Sequence, residues 1–260
     1  MRPGQPAGAF AYPPRTMLPI DEPPLTPDLI AARHEALLAR LGDAAERAGR
    51  ERDGFRVVAV TKGFDLAVVR AARAAGLTRF GENRVQEALP KVAAVPDAEW
   101  HLVGRLQGNK ARPAARAFAV IHSVDSLDLL ARLDRIAHDE GITRSVLLQV
   151  NVSGEAAKAG LEMAWTVEQS RRRGELLDAL DGLAAVRVTG LMTIAPAGVS
   201  PGVARAVFAA LRTLRGDLEQ LGGRALPELS MGMTADAEAA VAEGATLVRI
   251  GTAIFGPRPV

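Results

Sequence analysis

The sequence predicts a single (β/α)8 barrel of the TIM type, with one extra helix before its first strand. Three observations carry that expectation. Eight short apolar runs of β character alternate with helical stripes between residues 27 and 260. Most of the helices open on Asp, Ser or Thr or close on Gly, the usual start and stop signals. The turn after the first strand reads Thr61-Lys-Gly-Phe64. It is a poor match to the Gly-rich turn of an open doubly wound sheet, the competing architecture. Regular alternation of this kind implies right-handed βαβ units and a parallel sheet.

The elements follow in order. Asp28 can cap a first helix with the stripe Ile30, His34, Leu37, Leu38, Leu41 and Ala45. Strand one is Phe55–Val60, followed by a helix through Leu66, Val69 and Ala72 to Gly76. Strand two is Thr78–Gly81, and a helix beginning near Asn83 carries Val85 and Leu89. Strand three is Glu99–Val103, with a short helix over Gly108–Arg116. Strand four is Ala119–His122. Asp125 can then cap the stripe Leu127, Leu130, Leu133 and Ala137, which ends at Gly141. Strand five, Ser145–Val150, leads to a helix over Ala164–Leu183. Strand six is Val186–Met192. Ser200-Pro201 is an N-cap with proline at the first helical position, opening a helix through Phe208, Leu211, Leu214, Leu218 and Leu221. Strand seven is Pro227–Met231, and Thr234 caps a helix ending at Gly244. Strand eight is Ala245–Ile250, with no helix expected after it. Residues 1–26 stand apart. Their prolines at 3, 6, 13, 14, 19, 23 and 24 break regular structure, so they read as a disordered or loosely docked tail.

Composition excludes several functions. The net charge of +2 gives no field for nucleic acid or a membrane surface. Zero cysteines exclude disulfides, thiolate metal sites and cysteine nucleophiles. His34, His101, His122 and His138 show no metal-binding spacing, and no metal is expected. There is no secretory h-region and no apolar run near the ~20 residues of a membrane span, so a cytoplasmic protein is expected.

Lys62 ends the first strand and precedes Gly63. The chain has only four lysines, Lys62, Lys91, Lys110 and Lys158, and the other 28 of its 32 basic residues are arginine. Arginine cannot act as an amine nucleophile, whereas a desolvated lysine can. Two readings fit this segment alone: a Schiff-base lysine, or a strand-end lysine snorkelling to solvent.

A barrel places its site at the C-terminal strand ends, with phosphate often bound after strands seven and eight. Those ends read Ser230-Met-Gly-Met-Thr234 and Arg249-Ile-Gly-Thr-Ala253. Small residues let backbone N–H groups approach an anion, and Ser230 and Thr252 can add hydroxyls. The plainer reading is that Gly232, Gly251 and Gly256 only turn the chain. Other strand ends are individually weak. Asn83 fits a helix cap or a ligand contact, His101 a pocket or a core histidine, Met192 a pocket wall or plain core. Trp100 reads as packing.

An amine on strand one and an anion cradle at strands seven and eight together match pyridoxal 5′-phosphate, PLP, whose aldehyde and phosphate need both. Arg249, directly before the Gly251 segment, would face the pyridine nitrogen, leave it unprotonated and weaken the electron sink. A salt bridge between loops is the plainer role for Arg249.

The chain resembles a known family in Val58-Ala-Val-Thr-Lys62, Phe80-Gly-Glu-Asn-Arg-Val-Gln-Glu87, Trp100-His-Leu-Val-Gly104 and Leu106-Gln-Gly-Asn-Lys110. Gly190-Leu-Met192, Ser230-Met-Gly-Met-Thr234 and Val248-Arg-Ile-Gly-Thr-Ala-Ile-Phe-Gly256 extend the likeness. These segments, spread over about residues 28–258, are similar to those of the pyridoxal phosphate homeostasis proteins. The resemblance implies a barrel like the N-terminal domain of alanine racemase, with Lys62 forming the internal aldimine. It also puts Arg249 near the pyridine nitrogen, Ser230, Gly251 and Thr252 at the phosphate, and Asn83, His101 and Met192 along the pocket. Thr61, Arg84, Arg105 and Gly108 depart from the family's usual residues.

Racemases of this kind use a second acid/base, a tyrosine from an extra C-terminal domain. The only tyrosine here is Tyr12, in the tail. The expected function is therefore to hold PLP, to deliver it to apo PLP-dependent enzymes and to regulate vitamin B6 and amino-acid pools. Free amino acids are expected as small-molecule partners and a monomer as the working state. The alternatives are a PLP-dependent amino-acid racemase or lyase, and a scaffold that has lost its cofactor.

Overall fold

The computed structural model describes residues 25–152, 160–162 and 167–258. Among the described residues the nine strands are all parallel, and eight of them close a barrel. Around the barrel run β1 (Arg56–Val60), β2 (Arg79–Glu82), β3 (Glu99–Leu102), β4 (Val120–Val124) and β5 (Arg144–Asn151). They are followed by β7 (Val186–Met192), β8 (Glu228–Ser230) and β9 (Leu247–Ile250). Closure comes from β1 pairing with β9, with Val58 opposite Arg249. The two-residue β6 (Leu161–Glu162) adds to β5 beyond Val150.

Helices fill the crossovers: α2 (Leu66–Ala74), α3 (Val85–Ala94), α4 (Ala111–Ala117), α5 (Leu127–Asp139), α6 (Val167–Asp181), α7 (Pro201–Gly222) and α8 (Ala237–Ala242). A 3-10 turn, Gly108–Lys110, leads into α4. The extra helix α1 (Pro27–Arg47) precedes the barrel and packs against α2 and α8. A short helix expected from no sequence signal, α9 (Thr252–Phe255), follows β9.

Strand alternation sorts side chains into two cores. The larger lies between strands and helices, and includes Phe80, Phe118, Phe208 and Phe255, all fully buried. The smaller is the barrel interior, where Val58, Leu147, Met192 and Leu247 meet. Gly190 lets β7 approach β8, since a Cβ there would lie 1.9 Å from the Glu228 carbonyl oxygen.

Several caps differ from expectation. Thr26, not Asp28, caps α1, because its hydroxyl accepts from the Leu29 N–H one turn ahead. Leu25, just before this cap, packs on the core. Ser126, not Asp125, caps α5 by the same bond to Leu129 N. Thr234 caps nothing; Asp236 precedes α8, and its carboxylate accepts from Met233 N. Leu38, Leu89 and Leu221, expected on buried stripes, are exposed at 38%, 40% and 61%. Each lies at the edge of its helix's apolar arc, and the neighbouring stripe residues already cover the sheet. Residues 1–24, part of the helix expected over Ala164–Leu183, and Lys158 lie outside the described residues.

Candidate active site at the barrel mouth

Lys62 stands two residues beyond β1, where the chain leaves the barrel. Thr61 keeps one further ladder bond, from its N–H to Gly81 O at 3.0 Å, and Gly63 turns at φ 77°. That turn sets the Lys62 stem across the mouth. The ring of Phe64 packs on Phe255 with centroids 5.4 Å apart, tying this loop to α9.

The chain around Lys62 is anchored from behind. Glu82 Oε1 accepts from Thr61 Oγ1 at 2.7 Å and from Lys91 Nζ at 2.6 Å. Lys91 Nζ also donates to Thr61 O at 2.9 Å. Glu82 is fully buried, and its Oε2 has no partner among the described residues. Lys62 itself carries no hydrogen bond or ion pair among the described residues. Burial lowers its pKa first; Arg258 and Arg249 lower it further, and Glu82 opposes them.

Arg249 is the second cation. It is 5% exposed, and burial pushes its pKa down to about 10. Its guanidinium donates to Ser230 Oγ at 2.7 Å and to Thr193 O at 2.9 Å. No carboxylate among the described residues comes within 4.0 Å of it, so this buried charge has only neutral acceptors.

A cavity of about 330 Å³ opens at the mouth, and Lys62, Asn83, Arg249, Gly251 and Thr252 all line it. Arg258, Met233 and Thr234 are among its other lining residues. The structure thus brings together five of the eight residues singled out from sequence. Asn83 lines the wall rather than capping α3, because Arg84 occupies the position before that helix. Of the three glycines, Gly232 and Gly256 turn the chain at φ 90° and 78°. Gly251 has a negative φ, and a Cβ there would meet Val60 O at 3.2 Å.

The other three do not line the cavity. Met192 is fully buried in the barrel interior. His101 is 1% exposed and is bonded to Glu99 and His122. Ser230 is fully buried, with its hydroxyl between Arg249 and His122. Each sits one layer below the mouth, at inward positions that point into the barrel rather than out of it.

Sequence reasoning missed Glu82, Lys91, His122 and Arg258. Glu82 lay within a noted strand end, and Lys91 was one of only four lysines. His122 shared its strand-interior setting with His101. Arg258 carried no signal. No group of three or more metal-ligating side chains occurs among the described residues, and no described helix is long and apolar enough to cross a membrane.

Residues 34–259 match the family model of the alanine racemase N-terminal domain. A pyridoxal phosphate homeostasis protein of Synechocystis sp. is 43% identical over 206 residues, covering 78% of this chain and 91% of that one. The Pseudomonas aeruginosa protein of the same name is 44% identical, covering 88% and 96%. The solved structure of PipY from Synechococcus elongatus with PLP bound superposes with a TM-score of 0.75 at 42% identity. It covers 87% of this chain and 100% of PipY. The chain therefore belongs to the alanine racemase N-terminal domain family and, within it, to the pyridoxal phosphate homeostasis proteins.

Proposed function

We propose that this chain binds pyridoxal 5′-phosphate at the barrel mouth and acts in the cytoplasm to hold and deliver it, balancing PLP and amino-acid pools. One observation carries the reading: Lys62, Arg249, Gly251 and Thr252 converge on one cavity. When bound, PLP supplies an aldehyde that condenses with primary amines and a ring that withdraws electrons.

The residues present fit that group. Lys62 offers an amine that burial and two arginines bias toward its neutral, nucleophilic form. Arg249 only donates hydrogen bonds, so it suits a ring nitrogen that carries no proton. Gly251 and Thr252 open α9, whose first N–H groups have no intrahelical acceptor and suit a phosphate. Asn83 lines the same cavity and would offer its amide to the group. Free amino acids would meet the cofactor at Lys62, and apo-enzymes would receive it. Catalysis on amino acids as the main role needs a strong electron sink, which Arg249 opposes.

The test is an absorbance spectrum of purified protein with PLP, before and after borohydride, followed by peptide mapping. A visible band and a reduced adduct on Lys62 are expected. An adduct on Lys91, Lys110 or Lys158 instead, or no bound PLP, overturns the reading.

A further inference from the structure

Beneath the mouth, a line of hydrogen bonds crosses the barrel. Arg249 donates to Ser230 Oγ at 2.7 Å. Ser230 Oγ lies 2.8 Å from His122 Nδ1. His122 Nε2 lies 2.8 Å from His101 Nδ1, and His101 Nε2 lies 2.7 Å from Glu99 Oε1. The two middle strands, β4 and β8, are not neighbours in the barrel, so the contact spans its interior. His101, His122, Ser230 and Arg249 are all at most 5% exposed, whereas the Glu99 side chain is 41% exposed at the opposite, N-terminal end.

We propose that His122 and His101 are positioning residues for the cofactor site, holding the Ser230 hydroxyl, and through it Arg249, in one orientation. The inference rests on the PLP reading above and adds residues that do not line the cavity.

The ends of the line dictate its polarity. Arginine only donates, so Ser230 Oγ accepts from Arg249. A carboxylate only accepts, so His101 Nε2 carries a proton toward Glu99. With both imidazoles neutral, each link then has one arrangement. Ser230 donates to His122 Nδ1, and His122 Nε2–H donates to His101 Nδ1. Donation runs from Arg249 to Glu99 without a break, and each hydrogen bond strengthens the next.

An added proton breaks that order. With His101 cationic, its Nδ1–H would point at His122 Nε2, forcing the proton of His122 onto Nδ1 toward Ser230. The Ser230 oxygen would then accept from both His122 and Arg249, and its own proton would lose its acceptor. Total burial, His101 and Arg249 all hold His122 well below the usual imidazole range, in that order of effect. Around the lower end, Glu99 faces His101 directly, while Arg79 and Arg56 stand near Glu99. At the upper end the charged groups are Arg249, Lys62 and Arg258 across the same cavity, and, more distantly, Asp236. A neutral His122 is therefore what these surroundings favour, and a neutral His122 that accepts from Ser230 leaves Arg249 as a fixed donor to the cavity.

Two measurements test this. The first uses the protein without added cofactor, labelled with 15N-histidine, and reads the tautomers by NMR. The expected result is a neutral His122 protonated at Nε2. Protonation of His122 at Nδ1, or a cationic His122 near neutral pH, overturns the line. The second titrates the visible band of bound PLP against pH in the unaltered protein, His122→Phe and His122→Gln. His122→Phe should move the midpoint and weaken PLP binding about fivefold, the scale of one neutral hydrogen bond. His122→Gln, which keeps a donor and an acceptor, should restore most of both. An unmoved midpoint in a folded His122→Phe protein overturns the positioning role. Failure of the unaltered protein to bind PLP overturns the cofactor reading itself, and the two failures are separate observations.

Discussion

Lys91 Nζ lies 2.6 Å from Glu82 Oε1 in the barrel wall directly behind Lys62. Lys91 comes from α3, Glu82 ends β2, and Thr61, bonded to both, immediately precedes Lys62. The pair joins three elements at the position from which Lys62 projects. It also places a carboxylate near Lys62 that opposes the lowering of its pKa.

The pair itself gives the first prediction. A buried ion pair is not a strong source of stability, but breaking it strands a charge. Lys91→Met should destabilise the protein by about 3 kcal/mol, read by urea denaturation. The double variant Lys91→Met with Glu82→Gln should recover most of that loss. A double variant no more stable than the single would show that Lys91 acts through its stem and not its charge.

Lys62 gives a pH prediction. Its folded pKa lies below its ordinary 10.5, with burial the largest cause. The cost of holding the cation is present below the folded pKa and fades as pH rises toward the unfolded value. Between the two, the unfolded chain binds more protons, so stability rises with pH. Lys62→Met removes that cost. Without cofactor it should melt higher than the unaltered protein at neutral pH, with a flatter rise toward alkaline pH. An identical slope in both proteins would place Lys62 in water-like surroundings.

The barrel was legible because strand and helix periods are local. Val57 and Ala59 face the helices while Val58 faces inward, so both faces are buried and the strand reads as one apolar run. Lys62, Arg249 and Gly251 were legible for a related reason, since the fold fixes which strand ends share a mouth. The Ser230–His122 contact was not, because it joins residues 108 positions apart through the barrel interior. Ser230 read as a phosphate hydroxyl because its strand end is right; the inward direction of its side chain was the missing fact. Caps failed at Asp28 and Asp125 because Thr26 and Ser126 are equally good capping residues one or two positions away, and their hydroxyls take the Leu29 and Leu129 N–H groups, which sets a different first turn.

Those directions separate two hydroxyls. Thr252 lines the cavity beside Gly251, whereas Ser230 touches Arg249. Thr252→Ala should weaken PLP by ~1 kcal/mol and leave pyridoxal, which has no phosphate, unaffected. Ser230→Ala should weaken both, since it would disturb Arg249, the residue proposed to face the ring nitrogen. Equal losses for Thr252→Ala on both ligands, measured by fluorescence titration, would remove the phosphate from that end of the cavity.

A fourth prediction concerns the N-terminal boundary. Deleting residues 1–24 should leave melting temperature and PLP affinity nearly unchanged. Deleting residues 1–26 should cost about 1 kcal/mol more, because Thr26 caps α1 and Leu25 packs on the core. A large loss from the shorter deletion would mean that the proline-rich segment supports the barrel.

The last prediction is that the loaded protein does little chemistry on amino acids. Exchange of the carbonyl between Lys62 and an incoming amine needs only a second amine at the same carbon. Breaking the amino acid's Cα–H bond needs more. The electron pair left behind would have to be drawn into the ring, and a ring nitrogen held against Arg249, as proposed, would carry no proton to draw it. A base must also take the proton, and inversion needs an acid on the opposite face. Among the described residues lining the cavity there is no carboxylate, histidine or tyrosine, and Lys62 is the one amine. Two arginines stand there, and neither releases a proton near neutral pH. Lys62 can therefore serve one face only. Deuterium from solvent should enter alanine slowly or not at all, with negligible inversion, while PLP passes to an apo-enzyme acceptor. Racemisation at a turnover near the ~10 s⁻¹ typical of enzymes would sink the carrier reading and require an acid from outside the described cavity lining.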